Sequence, residues 1–269
     1  MDLALAYQTA VIVGGAKGIG RAIGEAFAEE RCKVILCDVD PKVNQAAQEI
    51  ASKHDATVVG YEVDVTDYHV LRKIAADVVT EYGGCNHLVY AAGVGSGKYG
   101  FPFWNLEPDD WEFVLRINLG GAVNTAHAFS PQMTAQQEGT MLFISSIAGQ
   151  IGSQTDPPYS AAKAALINFA QCAAKDLTEY DIRVNTICPG MIKTAVNRAV
   201  WQSWFNAQVE NERKPYEDWA TEKVEKVTPL GRWQTCEDIA NLAVFLASFR
   251  ANNITGQTLN VDGGQVMHW

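Results

Sequence analysis

"TAVIVGGAKGIGRAIG", residues 9–24, decides the fold. A short apolar, β-branched run enters a glycine-rich turn. The turn opens into "GIGRAIGEAFAEER" (18–31), whose apolar positions recur at helical spacing. Gly14, Gly18 and Gly20 thus form a Gly-x-x-x-Gly-x-Gly pattern between a strand and a helix. A dinucleotide-binding turn needs a tight reversal, close approach of backbone to pyrophosphate, and close packing of helix on strand, and glycines meet all three demands. The free NH groups and positive dipole end of the following helix then face the phosphates. Glycines alone carry little weight, because turns are rich in them; the βαβ setting gives these their meaning.

The same alternation runs outward from this unit. Strand candidates are 9–15, 33–39, 57–65, 87–93, 140–146, 183–190 and 257–264. Between them lie amphipathic stretches at 18–31, 41–53, 68–83, 109–130, 159–180 and 236–248. The strands are mostly continuous apolar runs, as strands covered on both faces require. Together they predict an α/β, single-domain Rossmann fold over residues 1–269, a doubly wound seven-stranded parallel sheet with helices on both faces. The stretch 191–228 breaks the rhythm: it has no strand, mixed charges and three tryptophans. It is too long for a connecting loop and follows the sixth strand, so it reads as a helical substrate lid at the carboxyl edge of the sheet.

Composition narrows the function. A chain of 269 residues, 48% hydrophobic and 19% charged, reads as a soluble globular protein. The formal net charge of −10 argues against a nucleic-acid or anionic membrane surface. Six scattered cysteines without Cys-x-x-Cys or paired histidine spacing read as thiols in a reducing compartment, with no metal site. The N-terminus lacks a basic region and runs straight into a strand, and no apolar run is long enough to span a membrane, so the expected location is cytoplasmic.

Asp38 ends the second strand eighteen residues after Gly20. A carboxylate there accepts ribose hydroxyls and repels a 2′-phosphate, which predicts NAD over NADP. Lys17, a cation inside the glycine loop, is the contrary signal; its bland reading is a solvated loop lysine. Asp64 ends the third strand, where a carboxylate can meet the adenine amino group or simply cap the next helix, a task for which Thr66 and Asp67 compete.

The ordered set of the glycine loop at 14–20, Asp64-Val65, "AAG" at 91–93, "INLGG" at 117–121, "ISSIAG" at 144–149, "YSAAK" at 159–163, "CPG" at 188–190 and "ITGQTLNVDGG" at 254–264 resembles the classical short-chain dehydrogenase/reductase family over essentially the whole chain. The resemblance implies that Tyr159 is the catalytic acid/base, Lys163 its activator, and Ser146 the donor to the reacting oxygen. Asn118 would hold a water linking Lys163 to solvent. Ser145 competes for the serine role, and the family's interval of about thirteen residues from serine to tyrosine selects Ser146. Around the cofactor the resemblance places Gly14, Ala16, Lys17, Gly18, Ile19 and Gly20 at the loop, then Asp38, Asp64, Val65, Ala92 and Gly93. Asn118, Tyr159 and Lys163 also belong there. Pro189, Gly190, Ile192 and Thr194 would line its nicotinamide end.

A free phenol has a pKa near 10, too high for a good base at neutral pH. A nearby ammonium and an oxidised nicotinamide both favour the phenolate. Two departures stand out: Val13 replaces a threonine that braces the turn, and Tyr90-Ala91 replace the family's two asparagines. These predict altered packing, not lost activity. Pro157 and Pro158 are expected to hold the chain extended up to the start of the tyrosine helix.

The sequence therefore predicts a hydride-transfer enzyme acting on a secondary alcohol or ketone. The favoured substrates are sugars, polyols or other small polar hydroxy compounds. The alternatives are an NADP-dependent 3-oxoacyl-type reductase and a non-catalytic NAD sensor or scaffold. Candidate pocket residues are Gly95, Ser146, Gln150, Gln154 and Trp201, within the wider stretches 95–104 and the lid, where Trp204 and Trp219 either stack on substrate or pack the lid. Lys98, Lys193 and Arg198 offer charge for an acidic substrate instead. The resemblance also implies a homotetramer, with the segments 109–130 and 159–180 apolar around much of their circumference. The C-terminal His268 and Trp269 could reach a neighbouring subunit.

Overall fold

The computed structural model describes residues 2–98, 103–153, 156–193 and 195–267. Its strands are β1 (Thr9–Val13), β2 (Lys33–Asp38), β3 (Val58–Glu62), β4 (His87–Tyr90), β5 (Gly139–Ile144), β6 (Ile182–Pro189) and β7 (Thr258–Val261). They form one sheet in the order β3-β2-β1-β4-β5-β6-β7, every pair parallel. The predicted doubly wound sheet is borne out.

Both faces of the sheet are covered, and the period-2 alternation of side chains divides the apolar runs between two cores. Ile12, Leu36, Val89, Leu142 and Ile187 point to one face, where α1 (Gly18–Glu29), α2 (Val43–His54) and α9 (Cys236–Ala247) pack. Val11, Ile35, Leu88, Met141 and Val184 point to the other, under α3 (Tyr68–Tyr82), α5 (Gly121–Gln136) and α6 (Pro157–Leu177). A strand buried on both sides has no polar alternation, which is why the sequence shows unbroken apolar runs.

The crossover from β3 to β4 reverses the direction of winding, so β1 and β4 lie side by side and Val13 pairs with Tyr90. Ligands bind at such a reversal, outside the carboxyl ends of the strands. At this place α1 approaches closely: a Cβ on Gly20 would lie 2.0 Å from the Gly14 carbonyl oxygen. Gly14 itself has φ +89°, and a Cβ there would lie 2.4 Å from the Ala92 amide nitrogen. Side chains are excluded at both positions.

Three boundaries differ from the sequence reading. The 109–130 segment divides into α4 (Pro108–Leu115), a π-helical turn (Arg116–Gly120) and α5, which continues past Pro131 to Gln136. Pro157 and Pro158 do not form an extended lead-in; they are the first two residues of α6. The first turn of a helix has no intrahelical partner for its NH groups, so proline is tolerated there, and Asp156 serves as cap. Asp64 lies two residues beyond β3, not within it. The lid stretch contains α7 (Ala195–Ala207) and α8 (Tyr216–Val227), entered through a parallel bridge between Ile192 and Gln234. Among the described residues, no helix is long and apolar enough to cross a membrane.

Candidate active site

The rim formed by β1, β2 and the start of α1 brings the glycine loop to Asp38. The Asp38 carboxylate accepts from the amides of Ala16 (3.0 Å) and Asp40 (2.9 Å), which fixes it against the loop. Lys17 is 79% exposed and pairs with Asp40 at 3.3 Å, while Arg21 pairs with Glu49 at 2.7 Å. These groups and Lys42 line an open cleft of about 410 Å³. Asp64 accepts from both the amide and the hydroxyl of Thr66 at 2.8 Å. Those bonds hold its carboxyl below the usual range, helped by Arg116. The cap of α3 is Asp67, not Asp64, so Asp64 is left at the rim.

The loop after β1 and the loop after β4 meet where Gly14 faces Ala92, and Gly93 follows directly. A Cβ at Gly93 would lie 2.8 Å from Asn118 Oδ1 and 3.2 Å from Lys163 Nζ, so no side chain separates these two groups from the backbone. Asn118 is fully buried in the π-helical turn. Its Nδ2 donates to the carbonyls of Val94 (2.8 Å) and Val114 (2.9 Å), and its Oδ1 accepts from the Val94 amide at 3.3 Å. Asn118 therefore clasps the backbone beside Gly93. Helical turns of this wide kind frequently mark functional sites. This one is held from the sheet by Tyr90, fully buried in β4, whose hydroxyl donates to the Ile117 carbonyl at 2.6 Å. The residue that breaks the family pattern is thus a strut to the neighbour of Asn118.

Tyr159 and Lys163 lie one turn apart on α6, with the ammonium 5.5 Å from the centroid of the phenol ring. Lys163 is buried and donates to the Ile144 carbonyl at 2.8 Å. Directly after β5, the two serines face different ways, as successive residues of an extended chain must. Ser145 is buried and donates to the Lys163 carbonyl at 2.8 Å, bracing α6. Ser146 caps the short turn Ile147–Gly149 by accepting from the Ala148 amide at 3.1 Å, and its side chain hydrogen-bonds that of Tyr159. Of the two serines, Ser146 is the one whose side chain bonds the phenol.

Burial pushes the Tyr159 phenol up to about 12; the Ser146 bond opposes the rise and the Asp156 carboxylate adds to it. Burial also pulls the Lys163 ammonium down to about 8. The sequence reading had the ammonium favouring the phenolate. In the protein by itself, burial dominates and raises the phenol. Cys188, on β6 behind the site, is buried, and its thiol is pushed up to about 11 by burial in spite of bonds from Ser145, Ser146 and Gln150.

At the stretch expected to line the nicotinamide, Pro189 closes β6 and the Gly190 amide donates to the Val261 carbonyl at 3.0 Å. A Cβ at Gly190 would touch the Asp262 backbone at 2.7 Å. Ile192 follows at the bridge to Gln234. Ala92 and Gly93 share this rim, as does Val65, whose carbonyl accepts from Asn124. Thr194 and Gln154 lie outside the described residues, as do His268, Trp269 and positions 99–102 of the pocket stretch.

The substrate candidates fare unevenly. Gly95 lies on the loop between Gly93 and Ser96, above the site. Gln150 is tied to Asn260 on β7 by reciprocal amide bonds of 2.6 and 2.9 Å, so the expected substrate donor is engaged elsewhere. Trp201 donates its indole NH to the Lys214 carbonyl at 3.0 Å and packs on Phe205 and Tyr216. Trp204 packs on Trp219, and Trp219 on Tyr216. The tryptophans hold α7 to α8. Lys98 pairs with Asp110 (2.6 Å), Lys193 pairs with Glu217 (2.7 Å) and lies over Trp233, and Arg198 lies over the Tyr216 ring.

Sequence reading passed over Asp156, which is 5% exposed and accepts from the amides of Ser96 (2.8 Å) and Tyr159 (3.4 Å). An aspartate before Pro-Pro at a helix start was the available signal.

The family model described as enoyl-(acyl carrier protein) reductase matches residues 14–266. The 3-oxoacyl-[acyl-carrier-protein] reductase FabG of Chlamydia trachomatis serovar D is 33% identical over 261 residues, covering 97% of this chain and 98% of its own. L-sorbose reductase from Gluconobacter frateurii, solved with NADPH and L-sorbose, superposes with a TM-score of 0.90 at 28% identity over 100% of both chains. Carveol dehydrogenase from Mycobacterium avium, solved with NAD, superposes with a TM-score of 0.88 at 27% identity, covering 97% of this chain and 98% of its own.

Proposed function

The chain belongs to the short-chain dehydrogenase/reductase family of oxidoreductases that use a nicotinamide cofactor, and from that premise we propose that it transfers hydride between NAD(H) and a secondary alcohol or its ketone, on a small, polar, uncharged hydroxy compound such as a sugar or polyol. The observation that carries the chemistry is the meeting of Ser146, Tyr159 and Lys163 beside Gly93 on the rim where β1 and β4 lie together. The residues present fit a dinucleotide: Gly14 and Gly20 let the glycine loop close onto α1 and onto Ala92 where a Cβ would clash, while a Cβ at Gly18 would meet nothing within 4 Å, so the turn stays open to a ligand on that side.

When bound, the nicotinamide supplies the hydride acceptor or donor. The chain's own residues manage the proton and the oxygen. Tyr159 Oη takes the alcohol proton in oxidation and returns one to the forming alkoxide in reduction. Ser146 Oγ, within reach of the phenol, is the polarising donor to the same oxygen. Lys163 Nζ stabilises the phenolate, and Asn118 fixes the backbone against which both lie. With the phenol pushed up to about 12, little phenolate is present at neutral pH. This reading therefore makes base activation depend on the positive charge that arrives with the oxidised cofactor.

Asp38 supports NAD, because its carboxylate stands where a 2′-phosphate would meet repulsion. The competing reading, an NADP-dependent 3-oxoacyl-type reductase, draws on the FabG relatives and on the cations Lys17, Arg21 and Lys42 around the same cleft. Against it, Lys17 and Arg21 are already paired with carboxylates. An enoyl reduction is disfavoured by the contiguous Tyr159-x-x-x-Lys163 spacing. Lys98 and Lys193 are paired with carboxylates and Arg198 lies over the Tyr216 ring, which counts against an acidic substrate.

Hydride transfer followed by nicotinamide absorbance, with NAD and NADP separately, against sugars, polyols, hydroxy acids and 3-oxoacyl thioesters, tests this reading. Turnover of neutral polyols with NAD is the expected result. Preference for NADP and 3-oxoacyl thioesters would establish the competitor. Tight NAD binding without any turnover, unaffected by Tyr159→Phe, would mark a sensor. Self-association belongs to the same proposal: the outer side of α4 and α5 carries a groove of about 650 Å³ lined by Leu115, Leu119 and Val123. Light scattering should give a tetramer.

A further inference from the structure

We propose that Asp156 is a positioning and specificity-determining residue, which ties the 93–98 loop to the catalytic helix and biases the site against anionic substrates. This rests on the role of Tyr159 given above. The carboxylate lies at the start of α6, three residues before Tyr159, and is nine-tenths or more buried. Its two oxygens go to different elements: Oδ2 accepts from the Ser96 amide on the loop after β4, and Oδ1 from the Tyr159 amide on α6. The strut therefore joins the loop beside Gly93 to the helix that carries the phenol and the ammonium.

The charge itself is uncompensated. Among the described residues, no lysine or arginine pairs with Asp156, and its partners are uncharged groups of Ser96 and Tyr159. The groups facing it are few and can be named. Asp110 on α4 repels it and is itself held by Lys98; Tyr159 lies on its own helix and is faced by the Lys163 ammonium, 5.5 Å from the ring, by Ser146 after β5 and by Cys188 on β6. A buried, unneutralised carboxylate beside the reacting centre discourages any second negative charge there. This applies to the phenolate of Tyr159 and to a carboxylate or phosphate on the substrate alike. A mere helix cap has neither effect, because a neutral cap serves a helix as well.

Asp156→Asn keeps the cap and removes the charge; Asp156→Glu keeps the charge; Asp156→Ser is a second neutral cap should the asparagine variant not fold. The first measurement is ultraviolet titration of phenolate absorbance, with Tyr159→Phe as the blank, which needs no substrate. Asp156→Asn should lower the Tyr159 transition by about one pK unit, and Asp156→Glu should restore it. The second is the ratio of kcat/KM for a hydroxy acid to that for a polyol of equal length, which should rise about tenfold in Asp156→Asn. KM for both substrates should also rise as the Ser96 tie is lost. An unmoved phenol transition with an unchanged ratio, whatever happens to thermal stability, overturns the proposal. If the wild-type protein oxidises no alcohol, the proposed function fails, and the phenol titration still decides the coupling of Asp156 to Tyr159.

Discussion

Replacing Lys163 by methionine should make the protein more stable at neutral pH while abolishing hydride transfer. The Lys163 ammonium is buried and its pKa is lowered from 10.5 to about 8, with burial as the main cause. A difference of about 2.5 pK units corresponds to about 3 kcal/mol of destabilisation carried by the charged form in the folded state. Methionine fills a similar volume without charge, but it gives up the bond to the Ile144 carbonyl, which costs about 1 kcal/mol. The net gain is about 2 kcal/mol, or about 4–8 °C in Tm for a chain of this size. The pH dependence identifies the cause. Below pH 8 both folded and unfolded lysine are protonated, and the wild type carries the whole penalty. Between about 8 and 10.5 the unfolded chain binds the proton and the folded chain does not, so wild-type stability rises with pH relative to the variant. Urea unfolding of both proteins at a series of pH values measures this directly. The advantage of Lys163→Met should be largest near pH 7 and shrink toward pH 10. A variant less stable than wild type by a margin independent of pH would refute the reasoning, because it would show that the folded protein compensates the charge.

Tyr90→Phe removes one hydroxyl from a buried ring and takes one of two donors from the Ile117 carbonyl, which keeps the Gly121 amide. Calorimetry should show a loss of about 1 kcal/mol, and kcat should fall more than KM rises, because the turn holding Asn118 loosens. Gly20→Ala places a methyl 2.0 Å from the Gly14 carbonyl oxygen; calorimetric titration should find dinucleotide affinity lost, with a lower Tm. Trp201→Phe keeps the ring contacts within the lid but frees the Lys214 carbonyl. Its effect should be confined to about 1 kcal/mol of stability, with the KM for substrate within about twofold of wild type by the thermodynamic equivalence of small energies and small ratios.

Much of this was legible in the sequence because period and punctuation are local. The runs ending at Val13, Asp38 and Ile144 declare strands buried on both faces, and the glycines at 14, 18 and 20 declare a turn that admits no side chain. Tyr159 and Lys163 sit four apart on a helix, which brings their side chains together whatever surrounds them. What could not be read depends on contacts across the chain. Nothing local says that Tyr90 reaches Ile117, that Gln150 pairs with Asn260 more than a hundred positions away, or that Asp156 and Ser96 meet. The π-helical turn was hidden for the same reason: its sequence, "RINLG", is ordinary helix-forming sequence, and its widening is seen only where Tyr90 bonds to it. The strength of burial at the phenol was equally out of view. A pair drawn on a helical wheel shows the ammonium beside the ring, but not the burial that raises the phenol.

The lid tryptophans have a consequence for how such proteins diversify. Trp201, Trp204, Phe205, Tyr216 and Trp219 close their ring contacts upon one another, so α7 and α8 carry their own small core. A segment that supplies its own cohesion can change its remaining residues, or be exchanged whole with that of a relative, without compensating mutations in the sheet beneath. Sequence can then drift quickly in this segment on a scaffold whose glycine turn and parallel sheet stand still. The hairpin from Ala195 to Val227 is the natural unit to transplant between relatives.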